Sequence, residues 1–197
     1  MTRPDSGEAL ELRPIGHVEN DIQPGKDVSW EGVESRIVNG PEFAEGLDGV
    51  EEFSHIVVLF WLDGPRDMQT PLKVRPEARE DMPLVGVFAT RAPVRPNPIG
   101  LTAVELLGRD GNVLLVRGLD AYDGTPVLDI KPYLIRGDMK PEASVPKWLQ
   151  RLWEEQDAPD GIRVAVTTAV GAAHRIRPYV CAGRAPAFRP LSLWAVQ

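Results

Sequence analysis

The stretch Gly-Val-Phe-Ala-Thr-Arg-Ala-Pro-Val-Arg-Pro-Asn-Pro-Ile-Gly-Leu, residues 86–101, limits what this chain can become. Ala92, Arg95 and Asn97 each precede a proline, and three prolines fall within six residues. Proline fixes its own φ and pushes the preceding residue out of α geometry. The backbone here is therefore stiff and extended, with Gly86 to Ala89 read as a short strand leading in. Gly100 is read as a tight turn into the next strand. Such a loop displays Arg91 and Arg95, whose guanidinium forks suit a carboxylate or phosphate, and the carboxamide of Asn97.

The rest of the chain reads as strands with few helices. Apolar, β-branched or alternating runs predict strands at Leu12–Val18, Val33–Val38, His55–Leu62, Leu101–Leu107, Asn112–Leu119 and Val127–Tyr133. Arg109-Asp110-Gly111 is a hairpin signal, and Tyr122-Asp123-Gly124-Thr125-Pro126 is a second tight turn. A short helix is expected from Asn39-Gly40-Pro41 to Leu47, and Asp63 to Pro83 is read as a loop-like flap. The fold class is mainly β: a single barrel domain over residues 10–140 with a few short helices. Residues 141–197 follow as a helix and an arginine-containing tail, expected to pack on the barrel. That helix, Ser144–Gln156, takes Ser144 as its cap, and Val145, Trp148, Leu149, Leu152 and Trp153 form one stripe. Arg163 to Val170 alternates as a further strand.

Charge and rare residues exclude several classes of function. The net charge is −7, yet no acid follows Asp160, where five arginines stand. An acidic body with a basic tail is not the footprint of a general nucleic-acid binder. The single Cys181 rules out an internal disulfide, and His17, His55 and His174 lack metal-ligand spacing. His55 is expected to be a hydrogen-bonded core histidine. No dinucleotide or phosphate loop, nucleophile elbow, membrane span or signal-peptide apolar region is present, so a cytoplasmic location is expected.

A second unusual run is Leu119-Asp-Ala-Tyr-Asp-Gly-Thr-Pro-Val-Leu-Asp-Ile-Lys-Pro-Tyr133. The turn explains Asp123 and Gly124. Asp129 and Lys131 alternate with apolar neighbours and so share one strand face. They form either a surface ion pair or a carboxylate placed to move a proton.

Together, Phe53-Ser-His55, Gly86–Arg91, Arg95-Pro-Asn-Pro-Ile-Gly-Leu101 and Asp123–Tyr133 resemble the TsaA-like family, also called the TrmO family. The similarity spans roughly Leu12 to Tyr133. It implies a β-barrel S-adenosyl-L-methionine-dependent methyltransferase, working as a homodimer with cofactor near the subunit interface. The family's activity is N-methylation of N6-threonylcarbamoyladenosine beside the tRNA anticodon. The resemblance places cofactor contacts on Arg91, the backbone around Leu101, and Gly118, Leu119 and Asp120, with Arg95 and Asn97 in the same loop. A carbamoyl nitrogen is a poor nucleophile, so a base such as Asp123 or Asp129 is expected to assist.

The chain departs from the family pattern in three places. Asp63-Gly64 stand where a His-containing pair of the cofactor region is usual. Glu19-Asn20-Asp21 and Gln23-Pro24-Gly25 replace its Arg-Ser-Pro and Pro-Arg-Gln elements. A helix and tail replace the C-terminal domain of the bacterial tRNA enzymes. Alternatives to a tRNA substrate are a same-fold methyltransferase acting on a small metabolite or peptide, and a non-enzymatic cofactor-binding dimer.

Overall fold

The computed structural model describes residues 11–25, 28–62 and 70–157. Six antiparallel strands close on themselves: β1 (Gly16–Glu19), β2 (Glu34–Asn39), β3 (His55–Trp61), β6 (Ile99–Asp110), β7 (Val113–Arg117) and β8 (Pro126–Pro132). Around the barrel the order is β1-β2-β7-β6-β3-β8, with β8 returning to β1. A separate ribbon pairs β4 (Lys73–Val74) with β5 (Val85–Gly86).

Alternation along the strands builds the interior. Ile37 from β2, Ile56, Val58 and Phe60 from β3, Val104 from β6, Leu114 and Val116 from β7 and Val127 from β8 are all buried in one cluster. A barrel this small is filled by its own side chains and leaves no lumen for a ligand. Two close approaches hold it tight. A Cβ on Gly16 would lie 2.4 Å from the Val38 carbonyl oxygen, where β1 meets β2. A Cβ on Gly100 would lie 2.4 Å from Phe60 Cε2. Gly100 is therefore no turn: it lies inside β6, and the missing side chain makes room for the Phe60 ring.

Several sequence expectations need correction. The first strand begins at Gly16, not Leu12, although Ile15 N still donates to Val127 O at 2.8 Å. Residues 86–89 are not one strand: pairing stops at Gly86, and Val87–Ala89 is a single 3-10 turn. The expected short helix at Pro41–Leu47 is likewise 3-10. The flap is only partly loop, since β4 and a 3-10 turn at Pro76–Ala78 lie within it.

A β-bulge lets Asp129 face outward although Val127, two residues before it, faces the core. Leu59 pairs with Asp129 but Phe60 pairs with Val127, so Leu128 is the extra residue. The slip keeps both Val127 and Ile130 against the core. His55 is exposed at the start of β3, with Nδ1 3.0 Å from Ser54 Oγ, and is not a core residue.

The chain divides after Glu142, and a helix at Lys147–Asp157 belongs to the second unit. Leu149 N and Gln150 N both donate to Pro146 O, so the helix starts from Pro146 and not from Ser144. The expected stripe is present, with Leu152 buried and Trp148, Leu149 and Trp153 half-buried. The expected strand at Arg163–Val170, the arginine tail, His174 and Cys181 lie outside the described residues. No helix among the described residues is long and apolar enough to cross a membrane.

Candidate cofactor and substrate site

Strand directions decide where the site is. β1, β3 and β7 run toward one end of the barrel, and β2, β6 and β8 run away from it. The connections 20–33, 62–98 and 118–125 therefore all leave and re-enter at that end. They carry nearly every candidate residue, however far apart in sequence. Leu101, Asp129 and Lys131 stand on the outer wall instead.

The proline-rich loop is braced from within. Arg95 donates from Nε to Ala92 O at 3.0 Å, and from one terminal nitrogen to Val87 O at 3.2 Å and Thr90 O at 2.7 Å. Thr90 Oγ1 also donates to Val87 O, and Leu62 N donates to Pro98 O at 2.7 Å. The expectation of two forks presented outward is thus half met. Arg95 is half-buried and ties its own loop together. Arg91 is exposed and has no hydrogen bond or ion pair among the described residues. Asn97 is exposed, and its carbonyl accepts from Ile99 N at 2.8 Å.

The opposing loop begins at Gly118, whose φ of +88° suits glycine and breaks strand β7. Its N–H donates to Val33 O, and Leu119 is buried behind it. Asp120 is only 2% exposed. Tyr122 packs edge-on against the buried Trp30, with ring centroids 5.5 Å apart. Burial pushes the Tyr122 phenol above the usual tyrosine range, and the nearby charge of Asp120 adds to the rise.

Asp123 and Asp129 both have other partners. The Asp123 carboxylate accepts from Asn20 N at 3.1 Å and from Gln23 Nε2 at 3.4 Å, while Asp123 N donates to Ile22 O. Asp129 pairs with Lys131 at 2.6 Å on the outer wall and also accepts from Ile130 N. Such an exposed pair contributes about 0–1 kcal/mol. Asn20 was legible only as a turn residue, yet its amide donates to Ser35 Oγ at 2.9 Å and Ala121 O at 3.0 Å. It clamps the first connection to the third across a hundred residues of sequence, a contact without local signal.

No group of residues suited to hold a metal ion occurs among the described residues. A surface depression of about 380 Å3 lies around the β6–β7 hairpin, lined in part by Arg36 and Arg109. Those arginines already pair with Glu19, Asp48 and Glu51, so the depression offers little to a charged ligand.

A family model for the tRNA-methyltransferase O N-terminal domain matches residues 17–139, the barrel and all three connections. The chain belongs to this family. It is 42% identical over 144 residues to a probable S-adenosyl-L-methionine-binding protein of Pyrococcus abyssi, covering 71% of this chain and 76% of that one. A tRNA (adenine(37)-N6)-methyltransferase of Mus musculus is 42% identical over 113 residues, covering 57% of this chain and 26% of the mouse protein. The crystal structure of TrmO from Pseudomonas aeruginosa matches with a TM-score of 0.55 at 31% identity, over 70% of this chain and 62% of that one. The chain thus spans under two thirds of that TrmO and about a quarter of the mouse enzyme.

The TrmO family is one of S-adenosyl-L-methionine-dependent methyltransferases. The donor set at the loop end fits such a cofactor. An unpaired guanidinium on a stiff loop suits its carboxylate, and a buried aspartate on a glycine-opened loop suits sugar hydroxyls. Asp63 and Gly64, expected in the cofactor region, lie outside the described residues.

Proposed function

We propose that this chain transfers a methyl group from S-adenosyl-L-methionine to N6 of an adenosine in tRNA, with N6-threonylcarbamoyladenosine beside the anticodon as the acceptor. The observation that supports this most is the gathering of the three connections at one barrel end, inside the segment matched to the family. There Arg91 is unpaired while Arg95 holds the loop that carries it.

In this reading Arg91 grips the cofactor carboxylate, Asp120 accepts from the ribose, and backbone groups of Gly118 and Leu119 read the base, whereas Leu101 belongs to the outer wall. Asn97 lines the same loop, and Arg95 acts through it. When bound, the cofactor supplies an electrophilic methyl on a positively charged sulfur. The chain's own task is to place the acceptor nitrogen in line with that methyl and to exclude water. Acylation leaves a carbamoyl nitrogen weakly nucleophilic, so removal of its proton assists the transfer. Of the two aspartates put forward for this, only Asp123 stands at the loop end. Its bond to Gln23, at 3.4 Å, is long enough to yield.

The chain works as a homodimer in this reading. Val57, Leu59 and Trp61 of β3 face outward beside Leu101 and Ala103 of β6, giving an apolar wall with Leu101 47% exposed. A second copy on that wall would also draw Asp129 and Lys131 to the rim. Sedimentation at micromolar concentration is expected to give about twice 21.7 kDa.

The experiment for the function is mass spectrometry of bulk tRNA nucleosides from cells with and without this protein. Loss of the methylated threonylcarbamoyl nucleoside, with accumulation of its unmethylated parent, is the expected result. Unchanged nucleoside profiles would reject tRNA as the acceptor.

A further inference from the structure

Val87 and Phe88 are neighbours with opposite fates. Val87 is 1% exposed, whereas Phe88 is 78% exposed, the most of any large apolar side chain in the described barrel unit. Single exposed apolar residues are common and need no explanation. What sets Phe88 apart is the rigidity of its support. Val87 N donates to Leu72 O at 3.0 Å, fixing the turn to the β4–β5 ribbon. Val87 O accepts from Thr90 N, Thr90 Oγ1 and Arg95, three donors on one carbonyl. The ring is thus held out on a turn that has little freedom to fold it away.

Its surroundings are apolar and cationic. Leu72 and Leu84, flanking the ribbon, are 67% and 55% exposed. Lys73 and Arg91 are exposed and without an ion pair or hydrogen bond among the described residues. Between residues 70 and 98 the chain has five bases and three acids, in a protein whose net charge is −7. A flat aromatic face with an unpaired lysine near it matches an unstacked base and an adjoining phosphate. An enzyme acting on a base within a structured RNA loop must hold bases out of their stack. A preorganised ring supplies that hold at small entropic cost.

We propose that Phe88 is a substrate-binding residue on which an unstacked purine of the RNA substrate stacks, with Lys73 facing a neighbouring phosphate while Arg91 stays with the cofactor. This rests on the tRNA reading above, and it assigns the β4–β5 arm to the RNA. A purine of the RNA fits better than the cofactor's adenine, because the ring stands open to solvent and the exposed Lys73 pairs with Gly86 across the ribbon, two residues before it.

The test compares Phe88→Ala, Phe88→Leu and Phe88→Trp with the parent in tRNA methylation, cofactor calorimetry, sedimentation and thermal unfolding. Ala and Leu are expected to raise KM for tRNA about five- to a hundredfold, and Trp to restore it. Leu keeps the apolar area and loses the stack, so it separates the two. Cofactor affinity, sedimentation and unfolding are expected to stay at parental values, because the ring is exposed. The salt slope of tRNA binding should be unchanged in the Phe88 variants and shallower in Lys73→Ala. Parental KM in Phe88→Ala and Phe88→Leu would overturn the stacking alone. Lost cofactor affinity would assign the ring to the cofactor, and a change to monomer would assign it to a second copy; either overturns the proposal. A parent protein that binds cofactor but neither binds nor methylates tRNA would remove the proposed acceptor, and this inference with it.

Discussion

Replacing Arg95 tests whether the proline-rich loop is held by its own arginine. The side chain makes three hydrogen bonds to carbonyls of the loop, at 3.0, 3.2 and 2.7 Å. A hydrogen bond from a charged donor contributes about 1.5–3 kcal/mol when intact. Three in sum overstate the loss, since Val87 O keeps both Thr90 donors and the site is only half-buried. A net cost of about 2–4 kcal/mol to the closed loop follows for Arg95→Ala. That corresponds to local opening about thirty- to a thousandfold more frequent. Hydrogen exchange should register it at the amides of Thr90 and Ala92, which bond within the loop to Val87 O and Thr90 Oγ1. Cofactor affinity should fall only by the fraction of molecules with an open loop. Arg95→Lys should recover little, because one ammonium cannot reach carbonyls spread around a planar fork. Unchanged exchange at those amides together with lost cofactor binding would refute the brace and make Arg95 a direct ligand.

Arg91→Ala should show the opposite pattern: cofactor affinity weaker by about 2–4 kcal/mol in calorimetry, with the denaturation midpoint unmoved, and partial recovery in Arg91→Lys. Gly100→Ala should destabilise by about 1–3 kcal/mol in urea, because its Cβ would overlap Phe60, and the penalty should shrink in a Phe60→Leu background. Tyr122 has a raised pKa in the folded state, so its stabilising contribution is complete below about pH 10 and is lost as pH rises through the folded value. An ultraviolet alkaline titration should show the Tyr122 phenol ionising late, a component that Tyr122→Phe should remove.

Most of the barrel was legible because its strands bury one face. The alternation at Val33–Val38 and the apolar run at His55–Leu62 fall within a residue or so of β2 and β3. Asp110-Gly111 marked the β6–β7 hairpin, with Gly111 at a φ of +58°. Where the reading failed, the decisive interaction was distant. Gly100 looked like a turn because local sequence does not show the Phe60 ring that needs its space. The two-residue strands β4 and β5 are too short to carry any periodicity. His55 looked buried because it opens an apolar run, yet its parity on β3 places it with the outward residues Val57, Leu59 and Trp61.

The candidate site was legible as composition and not as arrangement. The loop from Gly86 to Leu101 announces itself by its prolines and arginines, but the two guanidinium groups look equivalent in sequence. Only the folded loop separates them, turning Arg95 inward to three carbonyls and leaving Arg91 outside. Asp123 and Asp129 were equally alike until strand direction put one at the loop end and a bulge turned the other to the outer wall. Asn20 could not have been found from its neighbours at all.

The central claim is that the loop end of this barrel moves a methyl group onto a tRNA adenosine. Its most direct test incubates the purified protein with S-adenosyl-L-methionine carrying a deuterated methyl group and tRNA bearing threonylcarbamoyladenosine, followed by nucleoside mass spectrometry. The account predicts label on the threonylcarbamoyl nucleoside from the anticodon loop, and none when Arg91→Ala replaces the parent at cofactor concentrations that saturate only the parent. Label that appears nowhere in the tRNA, from protein shown by calorimetry to bind the cofactor, would contradict it.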